Sequence, residues 1–101
     1  MEITSDNKTA TEVEVALRGR FDAHGTDAFR QRIDSEIDSG VHHLRINLTA
    51  VEFVDSTALA ELVRGMKRCR ELGGDLMLVD PSDPVRVILE LTKLVAAFEI
   101  V

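Results

Sequence analysis

Apolar and polar residues alternate through the early chain, with Val13, Val15 and Leu17 set against Glu12, Glu14 and Arg18. That is the period of a strand with one face buried. A weaker strand signal surrounds Ile3, and the polar segment Ser5-Asp6-Asn7-Lys8 divides residues 1 to 21 into two strands. Asp22-Ala23-His24-Gly25 breaks the alternation. Thr26 is placed to cap a helix whose Phe29, Ile33 and Ile37 fall on one face at four-residue steps, and Gly40 stops it. Leu44, Ile46 and Leu48 alternate with Arg45, Asn47 and Thr49 and predict a strand over 42 to 48. The stretch Val51–Leu62 then changes the period. Leu59, Leu62, Val63, Met66 and Cys69 recur at helical spacing, so a helix begins at Asp55-Ser56-Thr57 and runs to about Leu72, where Gly73-Gly74 ends it.

Leu76 to Val79 is a continuous apolar run between Asp75 and Asp80-Pro81, as in a strand inside a sheet. Asp83 followed by Pro84 reads as an N-cap and first helical position, with Val85, Ile88, Leu91 and Val95 on the apolar stripe. Phe98-Glu99-Ile100-Val101 alternates like a last strand. Strands and helices in this order predict an α/β fold: a mixed sheet with a parallel core and an antiparallel N-terminal hairpin. With 101 residues, 45% hydrophobic and 30% charged, the chain forms a single domain spanning 1–101.

A net charge of -6 argues against direct nucleic-acid or anionic-membrane binding, because phosphate contacts need clustered Lys and Arg. The one cysteine, Cys69, cannot make an internal disulfide and lies on the apolar stripe of its helix, as a buried thiol in a reducing cytoplasm would. No leader-like or membrane-spanning run is visible.

Asp55, Ser56 and Thr57 are all good capping types, and a hydroxyl there can simply satisfy the free N–H groups of the first turn. The same N–H groups and the helix dipole would also receive a phosphate carried on Ser56. The run Asn47-Leu48-Thr49-Ala50-Val51-Glu52-Phe53-Val54-Asp55-Ser56-Thr57-Ala58-Leu59-Ala60 closely resembles the phosphorylation segment of STAS-domain anti-sigma factor antagonists. Leu17-Arg18-Gly19-Arg20-Phe21-Asp22 looks like that family's strand ending in Gly-x-Leu-Asp, and Gly73-Gly74-Asp75-Leu76-Met77-Leu78-Val79 like its later strand.

The resemblance implies helices packed on one face of the sheet and a cytoplasmic partner-switching protein in transcription regulation, including stress responses. Ser56 is the implied phosphoacceptor, with Asp22, Asp55, Thr57, Ala58 and Leu59 at the partner surface. The implied partners are an anti-sigma factor serine kinase, bound by the unphosphorylated form so that a sigma factor is released, and a metal-dependent protein phosphatase. Two departures stand out. Ala58 and Ala60 occupy positions where the family usually has glycine, and each methyl group narrows a partner's approach. The family also usually has one more helix after position 101.

Other chemistries find little support. Ser56 lacks a Gly-x-Ser-x-Gly frame and no local feature holds a histidine beside it, which leaves a small serine hydrolase remote. His42 and His43, adjacent in a strand, would point to opposite faces and share no metal. No nucleotide-binding glycine motif is present, so neither cofactor nor enzymatic activity is expected, and any kinase is a separate protein. The helix after Ser56 carries Arg64, Lys67, Arg68 and Arg70 against Glu61 and Glu71. This is either a solvated face with a Lys67–Glu71 pair or a basic docking patch in which Arg64 and Lys67 meet an acidic partner. The alternative to a phosphorylated switch is a STAS interaction subunit of a transporter or signalling complex that is never phosphorylated.

Overall fold

In the computed structural model, which describes residues 1–101, the alternating segments pair into one five-stranded sheet. Its strands are β1 (Glu2–Asn7), β2 (Glu12–Phe21), β3 (His43–Val54), β4 (Asp75–Val79) and β5 (Glu99–Ile100), ordered β1-β2-β3-β4-β5. β1 runs antiparallel to β2, and every other pairing is parallel. The parallel steps are made through α1 (Thr26–Asp38), α2 (Ser56–Glu71) and α3 (Asp83–Leu91), with a 3-10 turn at Leu94–Ala96 before β5.

The register explains the alternation. Val15, Ile46 and Leu78 pair across β2, β3 and β4 in one row, and none is exposed. Glu14, Arg45 and Met77 form the next row, on the face without helices, where they are half-buried. On the inner face α2 packs on β4, α3 on β3 and α1 on α2. Phe21 and Phe29 meet there with ring centroids 4.8 Å apart. Gly65 lets α2 lie close to β4, since a Cβ at that position would be 2.8 Å from Leu76 Cδ1.

Several boundaries depart from the sequence reading. β1 takes in Ser5, Asp6 and Asn7, which pair with Val15, Glu14 and Val13, so the hairpin turn falls after them. β3 continues past Leu48 to Val54 because two register shifts each place an extra residue on it opposite β2. Its inward positions are therefore Leu44, Ile46 and Leu48, then Val51 and Val54, and the two-residue period ends although the strand does not.

Thr26 is the first helical residue, not the cap: Gly25 occupies that position, and the Thr26 hydroxyl donates to the Ala23 carbonyl. Ser82, not Asp83, precedes α3 and moves Pro84 one place further in. Leu91 is 75% exposed and Val95 lies beyond the helix, because Thr92 ends α3 and Lys93 turns left-handed. The stripe that packs is Val85, Ile88 and Leu89.

Candidate functional site

Phe21 and Val54 form the last pair between β2 and β3, and the chain then enters two loops that meet at Asp55. Asp55 is extended and divides its carboxylate. Oδ1 accepts from the Ala58 N–H at 2.9 Å and caps α2, while Oδ2 accepts from the Ala23 N–H in the β2–α1 loop at 3.1 Å. Its own N–H donates to the Phe21 carbonyl at 3.3 Å.

Capping is thus done by Asp55, and Ser56 is left free. Ser56 is the first helical residue, exposed, and its hydroxyl makes no hydrogen bond within the chain. Thr57 is exposed beside it. The Ser56 and Thr57 N–H groups have no carbonyl one turn earlier to bond, as at every helix start. No histidine contacts the Ser56 hydroxyl, so no general base is aligned on it.

Two residues expected at a partner surface belong to the core instead: Ala58 is fully buried and Leu59 only 6% exposed. The Ala58 methyl therefore points inward and does not narrow a partner's approach; Ala60 is the exposed alanine. Asp22 is a turn residue. Its Oδ1 accepts from the His24 N–H at 3.0 Å, its carbonyl accepts from the Gly25 N–H, and Arg20 stands 3.6 Å from its carboxylate. It lies in the loop that Asp55 ties to α2 but makes no hydrogen bond to Ser56.

The basic residues of α2 do not form an open patch. Arg64 pairs with Asp34 at 3.1 Å and Glu61 at 3.0 Å, Arg68 with Asp34 at 2.7 Å and Asp38 at 3.5 Å, and Arg70 with Asp75 at 2.9 Å. Lys67 makes no ion pair, so the Lys67–Glu71 bridge is absent and only Lys67 presents an uncommitted cation on this helix.

Glu61 went unrecognised in the sequence reading. It is 5% exposed, and Arg30 and Arg64 both donate to it. The Arg30 hydrogen bond holds its carboxyl below the ordinary value of 4.5, against the upward push of burial and with help from Arg64. For Asp34 burial pushes upward, yet bonds from Arg64 and Arg68 bring its carboxyl below 3.8. A glutamate three residues beyond Ala58 and four before Gly65, on the buried side of the helix, was the available signal. Burial raises the Cys69 thiol to about 11, so it is the inert core thiol its position suggested. His42 precedes β3, and its ring lies 4.8 Å from that of His43, so the two do not point apart as expected. No cluster of three metal-ligating side chains exists.

Fold and site together define a small mixed α/β domain with an exposed serine at the start of α2. The STAS domain family model matches residues 3–101, and the chain belongs to that family. It is 28% identical over 81 residues to the anti-sigma F factor antagonist of Paenibacillus polymyxa, covering 79% of this chain and 69% of that one. Its fold superposes on the unphosphorylated form of the anti-sigma factor antagonist SpoIIAA with a TM-score of 0.87 at 22% identity, covering 99% of this chain and 88% of that one. The Bacillus cell fate determinant SpoIIAA in its phosphorylated form gives a TM-score of 0.79 at 20% identity, covering 99% and 91%. No helix is long and apolar enough to cross a membrane.

Proposed function

We propose that the protein is a cytoplasmic anti-sigma factor antagonist switched by phosphorylation of Ser56. Unphosphorylated, it binds an anti-sigma factor serine kinase through the loops around Asp55 and the exposed start of α2, and the sigma factor held by that kinase is released. The kinase transfers the γ-phosphoryl group of ATP to Ser56 Oγ, so that the O–P bond to Ser56 forms as the bond from phosphorus to the bridging oxygen breaks, and ADP and the serine proton leave. A metal-dependent phosphatase then uses water to return the serine and free phosphate.

The observation that supports this reading best is the division of labour at the start of α2. Asp55 caps the helix, and the adjacent hydroxyl is exposed and unbonded. A serine needed for capping would lose its structural bond on modification, whereas Ser56 has none to lose. A phosphate there adds about -1.5 to -2 charges, which the N-terminal N–H groups and the helix dipole can accommodate. The fold is expected to persist while the partner meets a bulky dianion at close range.

Incubation with a candidate kinase and ATP, followed by mass spectrometry, tests the proposal. Phosphate should appear on Ser56 and be absent from Ser56→Ala. A kinase that binds the protein tightly but leaves Ser56 unmodified would favour the unphosphorylated interaction subunit.

A further inference from the structure

Glu2 and Arg18 stand directly opposite each other in the pairing of β1 with β2, on the helix-free face, since their neighbours Ile3 and Leu17 pair on the core side. Oppositely charged side chains so placed are within easy reach of each other. Glu14 and Arg45, partners across β2 and β3 on the same face, do bond, at 3.4 Å. Glu2 and Arg18 do not. Both are exposed, neither forms an ion pair or a side-chain hydrogen bond with any residue, and both line one hollow in the sheet surface.

The register makes the hollow. Thr4, Ala16 and Asn47 form one row across β1, β2 and β3, and Glu2, Arg18 and Ala50 form the next, so small residues keep the surface low between the charged ones. The shift between Ala16 and Arg18 gives β3 two residues, Leu48 and Thr49, where β2 has only Leu17. Leu48 is buried and Thr49 is exposed beside Ala50. The cavity measures about 330 Å³, at the small end of ligand sites. Its walls offer free hydrogen-bonding groups. Asn47 Oδ1 accepts from the Thr49 N–H at 3.0 Å, which leaves the Asn47 NH2 group to donate, and the Thr49 hydroxyl has only a 3.4 Å bond to Asp80. A second hollow joins the first at Arg18, Thr49 and Ala50 and carries Glu52 on its wall.

Arg18 is the one cation lining either hollow, against Glu2 and Glu52. A simple anion therefore meets surplus carboxylate and a simple cation meets Arg18, whereas one small molecule bearing both charges satisfies the unpaired couple. We propose that this hollow binds a small free α-amino acid, its carboxylate held by Arg18 and its ammonium by Glu2. The guanidinium fork matches the two oxygens of a carboxylate, and Glu2 accepts from the ammonium. The hydroxyls of Thr4 and Thr49 and the NH2 group of Asn47 supply further hydrogen bonds. Because the cavity opens into its neighbour, the side chain of the ligand is not enclosed, and recognition rests on the two charges common to all α-amino acids. The site lies on the face opposite α2 and depends on neither Ser56 nor the switch reading.

Titration of the isotope-labelled full chain with L-serine, followed through its backbone amide NMR signals, tests the assignment. Saturable shifts are expected at Thr4, Arg18, Asn47 and Ala50, with the signals of α2 unmoved. Propionate and ethylamine each carry one of the two charges and should bind at least about tenfold more weakly. Glu2→Gln and Arg18→Gln should weaken L-serine to a similar degree, and both positions are exposed, so the fold is kept. Ala16→Val retains both charges, suits a strand and raises the floor of the cavity, so it should also abolish binding. Absence of saturable shifts would overturn the proposal. So would propionate binding as tightly as L-serine, or an affinity for L-serine that survives either glutamine variant or the valine.

Discussion

Asp55 Oδ2 accepts a hydrogen bond from the backbone N–H of Ala23, 32 residues earlier in the chain, while the other oxygen of the same carboxylate caps α2 at Ala58. One side chain therefore positions the β2–α1 loop against the helix that begins with Ser56. The loop needs this bond because Asp22 spends its own carboxylate and carbonyl on the turn His24-Gly25.

Substitutions at position 55 should separate the two bonds. Asp55→Ala loses both, and a cap worth ~1 kcal/mol plus a hydrogen bond worth ~1 kcal/mol gives an expected loss of about 2 kcal/mol. Asp55→Asn keeps one accepting oxygen and turns an NH2 group toward the other donor, so it should lose roughly half as much. Urea unfolding at pH 7 measures both. Asn is itself a good cap and should keep the bond to Ala58, so parent-like stability of Asp55→Asn would mean that the bond to Ala23 contributes nothing.

The buried Glu61 should make stability depend on acid. Its folded-state value is depressed, so the stabilisation is complete above the unfolded value near 4.5 and is lost as pH falls through the lower folded value. Asp34, also depressed, adds loss in the same direction below 3.8. Glu61→Gln should be less stable than the parent by roughly 2 kcal/mol at pH 7, because hydrogen bonds to a charged acceptor are weakened. That gap should shrink as the pH is lowered below about 4.5. A gap that stays constant down to pH 3 would show that the Glu61 charge does not stabilise the fold.

Most of the fold was legible because one face of β2, β3 and β4 is dry. The rows Val13–Leu44–Leu76 and Val15–Ile46–Leu78 require apolar residues at every second position, and the helices require them at three- and four-residue steps. Legibility failed where long-range pairing overrides local period. The bulges opposite Ala16–Arg20 stretch β3 to Val54 without any apolar alternation to reveal it. The site was legible in part. Asp55, Ser56 and Thr57 offered three capping groups in a row, and sequence could not say which one caps; the reach of Asp55 to both Ala58 and Ala23 decides it. Arg64 and Arg68 looked like a free basic face because their counterions, Asp34 and Asp38, stand on another helix.

Two small residues should prove intolerant of change for opposite reasons. A Cβ on Gly74 would lie 1.7 Å from the His42 carbonyl oxygen, a backbone atom tied to Asp75 by a 3.0 Å hydrogen bond. Gly74→Ala must displace the start of β3 or β4 and should cost about 3 kcal/mol or more, at the upper end of overpacking effects. Ala58 is helical and fully buried, so Ala58→Gly loses helix propensity of about 1 kcal/mol and a buried methyl of about 0.8 kcal/mol. Thermal melts of both variants check these values. A Gly74→Ala protein melting with the parent would show that the loop before β4 adjusts freely.

The switch itself is expected to act on binding with the fold held constant. Ser56 is exposed and bonded to nothing in the chain, so Ser56→Ala should change stability by no more than about 0.5 kcal/mol. Ser56→Asp places a carboxylate in the first turn of α2, where the dipole favours it by about 0.3–1 kcal/mol, so its melting temperature should equal or slightly exceed that of the parent. At the kinase interface the same charge must be desolvated beside Asp55, whose two oxygens already have their donors, and nothing nearby in α2 can neutralise it. A loss of ~3 kcal/mol there weakens binding by roughly a hundredfold. Calorimetric titration against the kinase should therefore find parent-like affinity for Ser56→Ala, which cannot be switched off, and strongly reduced affinity for Ser56→Asp. If Ser56→Asp binds like the parent while the phosphorylated protein does not, the switch requires the dianion. If the phosphorylated protein also binds unchanged, phosphorylation does not control this interface and the chain acts as a constitutive binding module.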